Sequence, residues 1–540
     1  MLRKIYRQHN WKESFAALMQ RQVWHMLLLG FSAGLPLLLI FSSLSLWLRE
    51  AGIEKSAVTY FSWAALGYSF KFIWAPLVDR LPVPILTRVL GLRRSWLLVS
   101  QLSIAGAIFL MAFSDPSYSD QLSYMAMGAV LLGFSSATQD ISIDAYRIEA
   151  GDADLQGLMS ASYVAGYRVG MIVAGAGALY IASYFGTSKE QYSYTAWQYT
   201  YQIMASFMLV GISATFLISE PIKRNVDEAY STQQYLGLLL TFALSVGVFI
   251  FTYMFTSDVV DIVQGQIKEL FSSDVFASVT VGLMRFVLAV ALAIQAARLC
   301  LQFNLVDRAL LQTSYVEPIK NFFDDYGLKT AGLLLALIGL YRISDIVLGV
   351  VSNLFYQDLG FTKIEIADAV KTFGLVMTIF GGFVGGVLAM RLGVMRILFI
   401  GAVLVIVTNL LFIVLFYTGK NITIMYLVVA ADNLVAGLAS AAFVAFLSSL
   451  VNIQFTAMQY AIFSSLMTLI PKTLAGYSGT VVDLYDYDTF FVIAAALGVP
   501  VLVLIYYVNL VLEVNDDSSE DTSKQGQPAT ENDSSKQESV

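Results

Sequence analysis

Residues 24–48 read WHMLLLGFSAGLPLLLIFSSLSLWL, with no acid, lysine or arginine among them. A hydrocarbon core about 30 Å thick is crossed by about 20 apolar residues of helix, so this run is long enough to span a bilayer. It is too long for the apolar region of a cleaved signal peptide and has no small-residue cleavage site. Pro36 interrupts it instead, and it reads as a retained helix.

Outward from this run, windows of the same kind recur near 58–79, 95–114, 121–145, 158–185 and 198–219, then near 235–256 and 277–301. Six more lie near 329–356, 366–390, 394–418, 421–450, 457–479 and 489–512. The chain reads as six spans, two spans and six spans, about fourteen in all. The composition demands such a fold. Charged residues make up 13% of the chain, hydrophobic residues 57%, and the mean hydropathy is +0.69. Soluble domains carry roughly 25% charged residues, and helices that are apolar all round belong in lipid or in a large core. The expected architecture is an all-α polytopic membrane protein of two six-helix bundles plus two inserted helices. Its segments are 1–23, a terminus; 24–222, the first bundle; 223–328, the linker with the inserted pair; 329–512, the second bundle; and 513–540, a tail.

The only cysteine is Cys300 and the only histidines are His9 and His25. An intrachain disulfide is excluded, a Cys/His metal site is not expected, and a proton relay deep in the membrane has to use carboxylates. No metal and no cofactor is expected apart from the proton as coupling ion. The formal charge of −7 resides almost wholly in the tail, where eight acids accompany two lysines from Glu513 onward; that composition predicts disorder. The short loops set orientation by their bases. Arg3, Lys4, Arg7, Lys12 and Arg21 precede the first span. Arg80, Arg88, Arg93 and Arg94, then Arg147, then Lys223 and Arg224, then Arg391 and Arg396 occupy even-numbered connections, whereas 115–120 has none. Both termini are therefore expected on the cytoplasmic side.

The two bundles echo each other. Gly133-Phe134-Ser135-Ser136-Ala137 resembles Gly437-Leu438-Ala439-Ser440-Ala441, and the Ala75–Arg80 segment before Arg93-Arg94 has a counterpart in Gly385-Gly386 before Arg391 and Arg396. Two related halves suggest a major facilitator arrangement, with a site between them at the membrane midplane.

A charge at the bilayer centre costs roughly 2.5–3.5 kcal/mol on insertion scales, so charged residues inside spans mark functional sites. Asp140 and Asp144 lie one turn apart on one face of the fourth span, beside Thr138 and Gln139. Like charges this close favour a proton on one of them, which makes the pair candidates for proton coupling. Arg147 is three residues beyond Asp144, so Asp144, more than Asp140, also reads as part of a gate salt bridge at the cytoplasmic helix end. Arg168 cannot shed its charge and needs a counter-ion, from the fourth-span acids or from an anionic substrate. Arg342 and Asp345 are spaced to neutralise each other on one face. Lys71 and Lys371 occupy similar places in the two halves, and Asp432-Asn433 adds polarity to a late span. The sequence alone suggests no partner for Arg285. Trp63, Tyr68, Tyr163, Tyr167 and Tyr341 lie near these charges, where they either stack on a sugar ring or simply pack. Lys71, Gln139, Tyr167, Arg168, Tyr341, Arg342, Asp345, Lys371 and Asn433 are the expected cavity residues. Asp79, Arg80, Arg93, Arg94 and Arg147 are the expected gate.

These stretches resemble the AmpG-type muropeptide permeases of Gram-negative inner membranes, a branch of the major facilitator superfamily. The resemblance rests on Gly30–Pro36, Phe70–Arg80, Ser136–Ile141 with Asp144-Ala145, Gly166–Met171, Lys371–Leu375, Asn433–Ala445 and Phe455–Ala461. It covers both bundles but neither the inserted pair nor the tail. It implies a monomeric, proton-driven importer of anhydromuropeptides in the inner membrane, serving cell-wall recycling and linked to β-lactamase induction. It also implies a critical role for Asp140, the acid of the Gln-Asp motif. Where the family carries Glu-Asn this chain has Asp432-Asn433, which weakens any role for Asp432. The implied partners are the muropeptide and the lipid bilayer, with no nucleic acid. A related facilitator for another sugar, peptide or acyl-carrying metabolite is the alternative. An enzyme or receptor would need a nucleophile–base constellation, a metal motif or a soluble domain, and the sequence offers none.

Overall fold

The computed structural model describes residues 11–53, 61, 64, 66–188, 191–221, 230–271, 274–475 and 478–525. The bases at 3–7 and 223–224, Trp63, and the tail beyond 525 lie outside the described residues, as does the side chain of Lys371. Among the described residues, regular structure is helical throughout.

The first half contains α1 (Arg21–Ile40), continued by Ser42–Glu50 after a break at Phe41, then the short α2 (Ala75–Arg80), α3 (Leu92–Ala112), α4 (Ser119–Ala150), α5 (Gln156–Ile172), continued through a π-helical stretch to Tyr184, and α6 (Tyr194–Leu217). The inserted segment forms α7 (Thr232–Phe255), α8 (Ser257–Phe271) and α9 (Asp274–Gln302). The second half contains α10 (Glu317–Leu340), bent at Gly327, followed by α11 (Ile343–Asp358), α12 (Gly374–Leu392), α13 (Val394–Thr418), α14 (Ile422–Ser449), α15 (Thr456–Ala475), α16 (Ser478–Ala496) and α17 (Val499–Gln525). The last helix continues past residue 512, so the start of the expected disordered tail is helical in backbone. Elongating an existing helix costs far less than nucleating one.

Twelve helical stretches among the described residues are long and apolar enough to cross a membrane. They coincide with twelve of the fourteen expected windows. The window at 58–79 is broken and partly outside the described residues. The window at 121–145 falls in α4, a 32-residue helix about 48 Å long at 1.5 Å per residue. Its Asp140, Asp144, Arg147 and run of hydroxyls lower its hydropathy, although its length exceeds the bilayer core.

The connections between successive membrane-crossing stretches fall at two ends, whereas α10 runs on into α11 within one such stretch. The end bearing Arg80, Arg93, Arg147 and Arg396 is the basic end. Each half has its own apolar core: Trp47, Trp197 and Tyr201 anchor one in the first half, and Phe355, Phe412 and Phe491 anchor one in the second. Two further clusters join the halves. Leu155, Leu158 and Met159 pack with Val387 and Met390, and Trp74, Leu77 and Val78 pack with Ala457, Met458 and Ala461. The second of these also takes in Leu238, Cys300, Val306 and Leu310 of the inserted segment, seating it against α2.

Within the first half, α1 and α5 approach backbone to backbone. Gly30 and Gly34 lie on the carbonyls of Tyr163 and Tyr167, while Gly166 and Gly170 lie on those of Leu27 and Phe31. Two small-xxx-small motifs interlock, and no Cβ fits at any of the four positions. This packing fixes the rotation of α5 and hence the direction of Tyr163, Tyr167 and Arg168.

Candidate functional site

Pro76 restarts the second span as α2 after a 3₁₀ turn at Lys71–Ile73, as expected of a ring that has no N–H to give and favours the first helical turn. The turn presents its side chains to α4. Tyr68 Oη donates to Ser136 Oγ at 2.6 Å and Trp74 Nε1 to Thr138 Oγ1 at 3.1 Å. Lys71 Nζ lies 3.4 Å from Asp144 Oδ2. Lys71 is therefore buried against α4, and Asp144 rather than Asp140 is its ion partner.

Asp144 carries a second cation. Its Oδ1 is 3.4 Å from Arg147 Nη2, one turn further along α4. Arg147 is 1% exposed and spends its other donors on both halves. Its Nη1 reaches Gln156 at 3.0 Å and Ser160 at 3.1 Å on α5, and Ser448 at 2.8 Å on α14. The guanidinium also sits 5.1 Å over the ring of Tyr460 on α15.

Asp140 is half-buried, accepts from Tyr163 Oη at 3.1 Å, and has no ion pair of its own among the described residues. Lys71 and Asp144 are the charges nearest in effect to it, and Tyr68 and Tyr167 also face it. Arg168, expected as a counter-ion for the α4 acids, is not brought to them. It is exposed, makes one weak polar contact, to Met171 Sδ at 4.0 Å, among the described residues, and instead faces the charges of Arg342 and Asp345 in the other half. The α1–α5 packing turns it that way.

Arg342 and Asp345 pair at 2.6 Å, one third and one quarter exposed, where the chain turns from α10 to α11. Asp432 lies within electrostatic reach of Asp345. Two expected cavity residues, Tyr341 and Asn433, are bonded within the second half. Tyr341 is 8% exposed, donates to the Leu398 carbonyl at 3.2 Å and stacks on Phe443 at 4.4 Å, so it is part of the core of the second half. Asn433 ties α14 to α12, accepting from Thr378 at 3.0 Å and donating to the Val429 carbonyl at 2.9 Å. Gln139 is fully buried, with neither amide atom hydrogen-bonded among the described residues.

At the basic end, Arg93 is buried between two acids. Its Nη2 lies 2.8 Å from Asp79 and 2.5 Å from Glu149, and its Nε is 2.9 Å from Glu149. Asp79 in turn accepts from the backbone N–H groups of Ala457 at 3.0 Å and Met458 at 2.8 Å, the open first turn of α15. Those donors have no partner inside their helix, and a carboxylate complements the positive helix end. Arg80 adds a contact 5.6 Å over Phe455 of the second half. Arg94 does not cross between the halves; it donates to the Thr215 and Phe216 carbonyls that end α6. On the opposite face the halves meet through glycine: a Cβ on Gly157 would stand 3.3 Å from Gly386 Cα.

Four participants were not singled out in the sequence. Glu149 has a visible signal, since a buried Arg93 exceeds what Asp79 alone satisfies. Glu220, which accepts from the N–H groups of Arg93 and Arg94 at 2.8 and 3.1 Å, sits directly after a span. Ser448 carries no signal, because a serine in an apolar helix is unremarkable, and Tyr460 is marked only by its place in the Phe455–Ala461 stretch.

The Major Facilitator Superfamily profile matches residues 333–535. A Rickettsia felis protein that bears the name transporter AmpG 4 is 30% identical over 493 residues, 91% of this chain and 98% of its own. The anhydromuropeptide permease of Escherichia coli K12 is 29% identical over 495 residues, 91% of this chain and 81% of its own. Among solved structures, the proton:xylose symporter XylE aligns at 13% identity with a TM-score of 0.55, covering 92% of this chain and 96% of its own. The E. coli fucose:proton symporter FucP aligns at 12% with a TM-score of 0.55, covering 93% and 99%. Both show the shared fold. With relatives that match it nearly end to end and are named as permeases and transporters, not enzymes, this chain belongs to the AmpG-type transporters of the major facilitator superfamily.

Proposed function

We propose that this protein imports anhydromuropeptides across the inner membrane of a Gram-negative cell, driven by the proton gradient, and so feeds cell-wall recycling and the signal for β-lactamase induction. The substrate class is supported by similarity to the E. coli anhydromuropeptide permease. The orientation is supported by the bases in the even-numbered connections, a pattern that favours the cytoplasm for the basic end. The bonds between halves at Asp79, Arg80 and Arg147 lie at that end, so the conformation is closed toward the cytoplasm.

The observation that carries the coupling reading is Asp140: a carboxylate inside a span, held by a neutral tyrosine and without an ion pair of its own among the described residues. It takes up a proton from the periplasmic side. Arg168, facing the other half with no carboxylate bonded to it among the described residues, offers a planar fork to a carboxylate of the muropeptide, with the Arg342–Asp345 pair opposite.

The test is uptake of labelled anhydromuropeptide into proteoliposomes. An inward proton gradient is expected to drive accumulation above the external concentration. Uptake that merely equilibrates, with or without the gradient, contradicts the coupling, and no uptake of this substrate beside uptake of another sugar, peptide or acyl-carrying metabolite contradicts the substrate class.

A further inference from the structure

Lys71 is paired with Asp144 and acts electrostatically on Asp140, one helical turn away, and the carboxylate it bonds is the one that also holds the lobe-bridging arginine. We propose that Lys71 is a positioning residue that carries the protonation state of Asp140 to the basic-end gate through Asp144 and Arg147. This rests on the proton-coupling reading of Asp140 and adds the route by which the proton reaches the gate.

The chain runs through direct contacts except at one step, where Asp140 and Lys71 act on each other electrostatically. Tyr163 holds Asp140; Asp140 and Asp144 both act on Lys71; Lys71 Nζ is 3.4 Å from Asp144; Asp144 is 3.4 Å from Arg147; and Arg147 is 2.8 Å from Ser448 in the other half. Both distances from Asp144 are at the loose end for a charge-assisted hydrogen bond, whose usual separation is about 2.7–2.9 Å. Asp144 is thus shared between two cations and holds neither tightly. Its competition is decided by what else attracts Lys71.

The groups facing Asp140 are Lys71 and Tyr68 from the second span, Asp144 from its own helix, Tyr163 and Tyr167 from α5, and Tyr460 from α15. Lys71 is the only cation among them. While Asp140 is ionised, Lys71 is drawn to two carboxylates, and Asp144 is left to orient Arg147 toward Ser448 and Tyr460. The basic end then stays shut. When Asp140 is protonated, Asp144 becomes the sole anion for Lys71, their contact tightens, and Arg147 loses the acid that aims it across the gap. Protonation from one side of the membrane thereby loosens the gate on the other, as a symporter requires.

The experiment uses full-length protein in proteoliposomes with spin labels on Arg88→Cys and Arg396→Cys, two exposed basic-end positions, one in each half, in a Cys300→Ala background. Distance distributions between the labels report the ratio of closed to open basic ends. In otherwise unaltered protein, acidification is expected to lower that ratio about tenfold, an ordinary coupling free energy. Lys71→Gln is expected to stay closed at every pH, because Asp144 then has Arg147 alone, and Lys71→Arg is expected to restore the response. Asp144→Asn is expected to be open at every pH. The opposite signs separate a relay from general damage, with monodisperse elution confirming fold. A Lys71→Gln protein that still opens on acidification, while Asp140→Asn does not respond, overturns the relay and leaves Asp140 as the proton site. A ratio that ignores pH in unaltered protein, or a response that survives Asp140→Asn, overturns the coupling reading and the relay with it.

Discussion

The carboxylate of Asp79, in the first half, caps the helix that begins beside Met458 in the second, with Oδ2 2.8 Å from the Met458 N–H. The same carboxylate holds Arg93, so one side chain latches its own half internally and docks it on the other.

Asp79→Ala removes a partner from a buried arginine and two acceptors from a helix start. Losing one member of a buried pair costs about 3–5 kcal/mol, reduced here because Glu149 still holds Arg93. The expected outcome is a population shifted toward an open basic end by tenfold or more, about 1.4 kcal/mol per factor of ten, seen as a longer Arg88–Arg396 label separation. An unchanged separation would mean that the latch does not set the equilibrium.

The two glycine seams predict different defects. Gly157→Leu places a branched side chain where Gly386 Cα, across the seam between the halves, leaves room for almost nothing. It is expected to favour the open basic end with little loss of thermal stability. Gly166→Ala puts its Cβ on the Leu27 carbonyl inside the first half in every state. Overpacking of this kind costs about 1–3 kcal/mol, so a lower melting temperature is expected, measured by thermal unfolding in detergent.

Arg168→Ala is expected to leave stability nearly unchanged, because among the described residues the guanidinium hydrogen-bonds only a methionine sulfur. Losing a charge-assisted bond to a substrate carboxylate costs about 1.5–3 kcal/mol, a rise in the half-saturating substrate concentration of roughly ten- to a hundredfold. Transport kinetics across a substrate pair with and without the peptide carboxylate check this: the penalty is expected only for the acid.

Tyr341→Phe provides the converse. Its hydroxyl bonds the Leu398 carbonyl inside the second half, so about 1 kcal/mol of stability is expected to be lost with no change in substrate affinity. A large affinity change would return Tyr341 to the cavity wall.

The spacing of Asp140, Asp144 and Arg147 is enough by itself to set them on one face, because four- and three-residue steps define a helical face regardless of surroundings. Which neighbour they meet is not legible in the same way. Periodicity reports rotation only when one face is apolar and the other polar, and helices apolar on all sides carry little such information. Lys71 therefore takes the place expected for Arg168 beside the α4 acids, and Tyr341 and Asn433 turn inward. The spans are legible wherever a window is uniformly apolar. Of the two windows not matched by an apolar helix, 58–79 lies partly outside the described residues, and 121–145 holds the Asp140–Asp144 pair, where the demands of the site override the pattern.

The central claim is that Asp140 exchanges the coupling proton. It is tested most directly by comparing gradient-driven uptake with substrate counterflow for Asp140→Asn in proteoliposomes. The account predicts that accumulation under a proton gradient is abolished while exchange of labelled for unlabelled anhydromuropeptide, which needs no net proton movement, persists. An Asp140→Asn protein that still concentrates substrate when the gradient is applied would contradict it.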